Sequence, residues 1–292
     1  MSEGTRVQAG SRAVLLGAAA NAILAALKIG TGFVGHSHAM VADGVESLSD
    51  IVSSIVVWLG VMISHQPPDS DHPYGHGRAD TLAAGFTSVL LLGMALVILV
   101  KSAQGLLQPR PAPAWFTLPI LLVAVGAKQW LSRTIERAGR RIQSSALKAD
   151  AKHHSSDAFI SGAAAIGIII TLIGGKGYES ADSWAAIIAA FVIAWNGLNL
   201  LQPVVAELME ESAPPELLGK LESIASRVPE VKKVEKCVAR RIGPDFVIEM
   251  HIEVDPDMNV KKAHGLSHRV KDAIQHTMKN IKDVVIHIEP YD

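Results

Sequence analysis

The stretch AMVADGVESLSDIVSSIVVWLGVMI, residues 39–63, combines an apolar run with three acidic side chains. A helix of about 20 mainly apolar residues crosses the hydrocarbon core of a bilayer, and this stretch is long enough to do so. Its acids Asp43, Glu46 and Asp50 are three and four residues apart, so on a helix they share one face. Ionisable groups at membrane depth are costly and usually mark a functional pathway. The stretch therefore predicts a membrane helix that carries a polar site.

Apolar segments of similar length recur on both sides of this stretch. They lie at 13–34, 81–106, 114–133, 158–174 and 183–204. Four of the five are long enough to span a bilayer directly, whereas 158–174 reaches full length only if its helix starts near Ser145. The pattern predicts six transmembrane helices, with the first retained and not cleaved as a signal peptide.

Basic residues predict the orientation of these helices. They cluster between the fourth and fifth apolar segments, whereas the connections on the opposite side offer Arg110 and Lys176. Because basic loops stay in the cytoplasm, both termini are expected there. With no organelle-targeting signal apparent, a bacterial inner membrane is the expected location.

The composition changes after Pro203, and from about residue 213 the chain is charged. Helical patterns at Pro214–Val228 and Val260–Met278 alternate with strand-like patterns. The strand-like segments are Val231–Arg241, Phe246–Val254 and Val284–Ile288. The order αββαβ predicts a small α+β domain of ferredoxin-like or metallochaperone-like type. We therefore divide the chain into a transmembrane domain, 1–210, and a cytoplasmic domain, 211–292.

The fifth apolar segment is preceded by a polar set with the spacing of the first one. Asp150, His153 and Asp157 again place an acid, a ligand and an acid on one helical face. Carboxylates and imidazole from two facing helices could close a tetrahedral shell around one zinc, manganese or iron ion. The shell would be formed by Glu46, Asp50, His153 and Asp157.

Protons would compete with a metal for such a site, because protonation also neutralises a buried carboxylate. The alternative is that these acids make interhelical hydrogen bonds or lie at a wet helix end. For Asp43 and Asp150 this structural interpretation, as helix-end or supporting carboxylates, is the preferred one.

Three motifs carry a resemblance to a known family: VESLSD (45–50), HPYGHGRAD (72–80) and HHSSD (153–157). Together with the terminal αββαβ domain, they make the chain resemble the cation diffusion facilitator family over nearly its whole length. The resemblance implies a homodimer that exchanges divalent metal for protons by alternating access. It also implies a primary transport site at Glu46, Asp50, His153 and Asp157. Family members more often have Asp or His in place of Glu46, and the longer side chain of Glu46 leaves the metal preference open. Zn²⁺ is the first choice of cargo, with Mn²⁺ and Fe²⁺ close behind.

Two further features lie near the second span and after the sixth. Asp69, His72 and His76 offer one carboxylate and two imidazoles in a Pro/Gly loop, where the family has an interfacial metal site. A plain surface histidine loop is the alternative, and Asp71 is an alternative ligand. Arg78 and Glu210 match family positions that form a charge interlock near the dimer interface.

The cytoplasmic domain holds a third candidate set. Strand alternation puts His287 and Glu289 on one face, while His251 lies in another strand and His264 opens the last helix. Together with Glu235, these residues resemble the family's cytoplasmic metal cluster, which would bind one or two regulatory ions and draw two domains together. Solvated strand histidines are the alternative interpretation.

These features predict a secondary active exporter of Zn²⁺ or a similar ion in a lipid bilayer. The alternative is a membrane metal sensor that binds ions without moving them. An enzyme is not expected, because the sequence has no HExxH, GxSxG or Gly-rich phosphate motif. A net charge of −1 gives no reason to expect a nucleic-acid partner.

Overall fold

The structure is a computed structural model, and it describes residues 3–34, 38–107, 117–174 and 181–291. Within these ranges, the side chains of 3–11, 31–34, 38–46 and a few single positions fall outside the description. The chain forms two compact units, Met1–Val204 and Val205–Asp292. The predicted domain boundary after residue 210 falls inside the second of them.

The described residues of the first unit form six long helices, one on each predicted apolar segment. They are α1 (Glu3–Val34), α2 (His38–Ser64), α3 (Arg78–Leu107), α4 (Thr117–Ile142), α5 (Ser145–Gly174) and α6 (Ala181–Leu208). The fifth helix begins at Ser145. This is the start that the sequence pattern required for the fifth segment to be long enough to span a bilayer. The region therefore has the helical content predicted from its apolar pattern.

Three helical segments in the described residues are long and apolar enough to cross a membrane: Arg12–Gly30, Arg78–Leu107 and Ser183–Leu208. A shorter apolar segment of α2 covers Asp50–Ser64. The described part of α4 is not among them, because its second half is interrupted by charged side chains. Six spans therefore stays a prediction.

The outward faces of two of these helices fit a lipid environment. Leu96 and Val97 of α3, and Phe191 and Trp195 of α6, are more than half exposed in the structure. Large contiguous apolar surfaces are rare on soluble proteins and mark contact with another apolar phase. The exposed apolar side chains of α3 and α6 therefore fit contact with lipid tails.

Close helix contact brings α2 against α3. Gly60 lies so close to Ala83 that a Cβ on the glycine would overlap the alanine side chain. Small residues allow such backbone approach between membrane helices. This contact fixes the half of α2 that follows Asp50.

The start of α5 is held by a carboxylate from α3. Asp80, which is buried, accepts hydrogen bonds from the hydroxyl of Ser144, from the backbone N–H of Ser145 at 2.6 Å and from that of Ala146 at 3.3 Å. The first N–H groups of a helix lack intrahelical partners, and an anion there satisfies them. Asp80 thereby anchors the helix that carries His153 and Asp157.

The second unit contains the predicted αββαβ order. Its elements are α7 (Pro215–Ala225), β1 (Lys233–Ile242), β2 (Asp245–Val254), α8 (Val260–Thr277) and β3 (Ile281–Pro290). The sheet order is β1-β2-β3, with β1 antiparallel and β3 parallel to β2. The last strand is longer than the predicted Val284–Ile288, because β3 pairs with β2 from Phe246 to Val254. Buried side chains of the helices and of β2, among them Leu221, Met250 and Leu266, form its core.

Candidate metal sites

Three of the predicted transport residues come together inside the first unit. His153 and Asp157 are one turn apart on α5, and Asp50 of α2 lies opposite them. His153 Nε2 is 3.1 Å from Asp50 Oδ1 and 3.9 Å from Asp157 Oδ2. One ligand atom from each of these residues, here named the intramembrane triad, lies within 4.8 Å of the others. This spacing fits a single divalent ion bound by two carboxylates and one imidazole.

The intramembrane triad is removed from solvent. Asp50, His153 and Asp157 are 3%, 2% and 8% exposed. Among the described residues, Asp157 Oδ1 and His153 Nδ1 have no hydrogen-bond partner. Buried polar atoms are nearly always paired, so unpaired ones require an explanation such as a bound ion. Buried side chains whose polar atoms lack hydrogen-bond partners can coordinate a metal ion.

Lys128 of α4 completes this cluster and was missed in the sequence interpretation. It is 3% exposed, and its ammonium donates to Asp50 Oδ2 and, at 2.9 Å, to Asp157 Oδ2. The signal was present, since a lysine inside the apolar run LLVAVGAKQW, residues 121–130, is itself a group expected to be functional at membrane depth. The sequence does not show which side chains Lys128 contacts, because α4 is distant from α2 along the chain.

Of the other predicted acids, only Asp150 has a described side chain, and it is not part of the triad. Glu46 and Asp43 belong to α2, but their side chains are outside the described residues, so Glu46 as a fourth ligand stays a prediction. Asp150 is fully buried two helical turns before Asp157, and its Oδ1 is 3.8 Å from His154 Nε2. The preferred interpretation of Asp150 as a supporting carboxylate fits this position.

The loop after α2 brings its three predicted ligands together. Asp69 Oδ1 is 3.2 Å from His72 Nδ1, and Asp69 Oδ2 is 3.4 Å from His76 Nε2. The backbone N–H of His72 donates to Asp69 and lowers the pKa of that carboxyl, which keeps it charged as a ligand. The loop is largely exposed, and its three-residue group does not include Asp71.

Parallel pairing of β2 and β3 brings together three residues of the third predicted ligand set. His251 and His287 are register partners, and their rings are 4.8 Å apart. Glu289 Oε1 lies 2.7 Å from His251 Nδ1 and 3.5 Å from His287 Nε2. These three residues offer ligand atoms within 4.8 Å of one another, and we call them the strand cluster.

Glu235 joins the strand cluster through Glu289. It lies at the register shift of β1, and its hydrogen bond with Glu289 raises the pKa of Glu235 while it lowers the pKa of Glu289. A metal ion bound between the two carboxylates would compete with a proton for them. This position agrees with the prediction of Glu235 as a ligand but does not test it.

Three predicted residues lie apart from these groups. His264 is on α8, where its Nε2 is 3.1 Å from that of His268, and it does not belong to the strand cluster. Arg78 is the first residue of α3, and Glu210 accepts a hydrogen bond from Arg240 at 3.0 Å. The roles proposed for His264 and for the Arg78–Glu210 interlock stay predictions.

Replacing His287 by alanine is expected to remove one bound Zn²⁺ per protomer from the purified full-length chain. The strand cluster then keeps one imidazole and one carboxylate, too few for a stable site. Metal content per protomer, measured by elemental analysis after dialysis, checks this. His276→Ala removes an exposed histidine of α8 and serves as the control. An equal loss in both variants would contradict the assignment.

Comparisons with known proteins cover nearly the whole chain. A family model described as the cation efflux transmembrane domain matches residues 14–209, and one described as the cytoplasmic domain of cation efflux proteins matches residues 213–291. The manganese efflux system protein MneP of Bacillus subtilis is 31% identical, covering 98% of each chain. The magnetosome protein MamM of Paramagnetospirillum magneticum is 32% identical over 94% of this chain and 86% of its own. The cation-efflux pump FieF of Klebsiella pneumoniae is 29% identical over 96% and 92%.

Proposed function

We propose that this chain, which belongs to the cation efflux family (also called cation diffusion facilitators), exports Zn²⁺ from the cytoplasm in exchange for protons. Membership makes the chain a membrane transporter of divalent metal cations, and not an enzyme. The zinc cargo, the proton exchange and the residues that carry them are the proposal.

The buried intramembrane triad is the observation that carries this proposal. Two carboxylates and an imidazole lie within 4.8 Å of one another in a helical unit whose outer faces are apolar. Sensing alone would need only the strand cluster and the loop, both of which reach solvent. Ligands held inside the membrane unit are explained by an ion that passes through it.

Proton exchange follows from the chemistry of the same ligands. A carboxylate or an imidazole binds either a metal ion or a proton, so metal binding releases protons. A proton gradient that favours protonation on one side would therefore favour metal release there. This competition supports antiport through Asp50, His153 and Asp157, with Glu46 as the proposed fourth ligand.

Manganese is the second candidate cargo. Relatives named as manganese efflux proteins, MneP among them, support it, and so does the oxygen-rich ligand set. Zinc remains first because four ligands of carboxylate and imidazole type suit a tetrahedral ion. Iron is the third ion to test.

We extend the proposal to the assembly and the outer sites. The protein acts as a homodimer of protomers with six spans each in a bacterial inner membrane, and both termini and the domain 211–292 lie in the cytoplasm. The loop residues Asp69, His72 and His76 and the strand cluster, with Glu235 and His264, bind further ions. The match of residues 213–291 to the cytoplasmic-domain model supports the proposal that this domain lies in the cytoplasm.

Transport by reconstituted vesicles tests the proposal. Purified protein in vesicles with an imposed pH gradient is offered Zn²⁺, Mn²⁺ and Fe²⁺ in parallel, and uptake is followed with a metal-sensitive dye. Gradient-dependent uptake of Zn²⁺ is the expected result. Uptake of Mn²⁺ alone would show that manganese, and not zinc, is the cargo. Tight binding of all three ions without uptake would favour the sensor alternative.

A further inference from the structure

The transport site contains a cation of its own. The Lys128 ammonium bridges Asp50 and Asp157, one carboxylate from each helix of the site. The lysine side chain is 4% exposed, so water does not compensate its charge. Its partners are therefore the carboxylates that a metal ion would use.

A metal ion and this ammonium compete for the same two oxygens, Asp50 Oδ2 and Asp157 Oδ2. Zinc binds carboxylate oxygens at about 2.0–2.2 Å, and the ammonium already lies 2.9 Å from Asp157 Oδ2 and contacts Asp50 Oδ2. A metal held by the same pair of oxygens would sit against the ammonium. Two cations at that separation in a water-poor site repel strongly. A metal ion bound through these two oxygens therefore displaces the ammonium.

We infer that Lys128 is a tethered competitor of the transported metal: it fills the carboxylate pair when the metal is absent, is displaced when the metal enters, and returns to speed metal release. This inference rests on the proposed function, because it concerns the same site. The lysine is flexible and its charge is compact, which suits repeated displacement. The site then keeps a counter-cation during the metal-free step of the cycle.

The inference predicts opposite effects on affinity and on turnover. If the lysine fills the site about nine-tenths of the time, its removal makes metal binding about tenfold tighter. Release becomes slower, because no tethered cation helps to expel the ion. A lysine with only a structural role would behave differently, since its loss would weaken binding and flux together.

Zn²⁺ titration of full-length Lys128→Met, compared with the wild type, is the experiment. Both proteins also carry His72→Ala, His76→Ala and His287→Ala, so that the intramembrane triad dominates binding. Maximal Zn²⁺ flux in vesicles is measured on the same preparations without these background substitutions. Lys128→Arg, which keeps the charge, and Lys101→Met, which removes an exposed lysine of α3, are the controls.

The expected result is an apparent Kd about tenfold lower and a reduced maximal flux for Lys128→Met only. An unchanged or higher Kd, equal tightening in Lys128→Arg, or tighter binding with undiminished flux would overturn the inference. If Lys128→Met does not elute as a folded protein, Lys128→Gln takes its place with the same criteria. Absent flux in the wild type would refute the proposed function instead, and the Kd comparison would still decide whether lysine competes.

Discussion

Substitution of Asp157 by asparagine is expected to lower metal flux roughly 100-fold or more in reconstituted vesicles. The change keeps the volume of the side chain but removes one of two carboxylates from the intramembrane triad. It also leaves Lys128 with Asp50 as its remaining carboxylate partner, so the ammonium occupies the weakened site. Flux under a fixed pH gradient, normalised to the amount of reconstituted protein, is the measurement.

Asp150→Asn is the matched control for this substitution. Asp150 is also a fully buried aspartate of α5, two turns earlier, and it is not part of the triad. This variant is expected to keep most of its flux. If both asparagine variants lost flux equally, burial of charge in α5 would matter in general and the triad would have no special role.

Substitution of Asp80 by alanine is expected to destabilise the transmembrane unit by about 2 kcal/mol. The change leaves the N–H groups of Ser145 and Ala146 and the hydroxyl of Ser144 without their charged acceptor at the start of α5. Because α5 carries His153 and Asp157, we expect lower flux as well. Thermal unfolding in detergent, followed by tryptophan fluorescence, should show a midpoint several degrees lower than that of the wild type.

Glu136→Ala provides the comparison for Asp80. Glu136 accepts a hydrogen bond from Arg140 at 2.7 Å on the surface of α4, and such exposed pairs contribute less than about 1 kcal/mol. Its unfolding midpoint should stay near the wild-type value. A wild-type midpoint for Asp80→Ala would show that the start of α5 is held by something other than this carboxylate.

Much of the fold follows from local patterns along the chain. Apolar periodicity and proline or glycine breaks predicted the six helices and the αββαβ order, because both depend on neighbouring residues. The start of α5 at Ser145 followed from the length a span requires. The extension of β3 to Ile281–Pro290 could not be predicted from local patterns, because it depends on pairing with β2.

The site could be predicted only in part, for a related reason. Matching spacings around Asp50 and around His153 and Asp157 indicated two facing helices, and the structure brings these residues together. The contact of Lys128 with both carboxylates depends on how α4 packs, which no local pattern contains.

In the cytoplasmic unit, strand alternation placed His287 and Glu289 on one face. The position of His251 beside them required the parallel register of β2 and β3. The hydrogen bond between Glu235 and Glu289 involves a residue at the register shift in β1, which the sequence does not indicate.

Zinc uptake by vesicles that contain either the wild type or His153→Ala, with and without an imposed pH gradient, tests the central claim most directly. His153 supplies the imidazole of the intramembrane triad, so its loss should abolish uptake. We predict gradient-dependent uptake by the wild type and background uptake by the variant, although the loop and the strand cluster of the variant are intact. Equal uptake by the two proteins would contradict transport through the intramembrane triad.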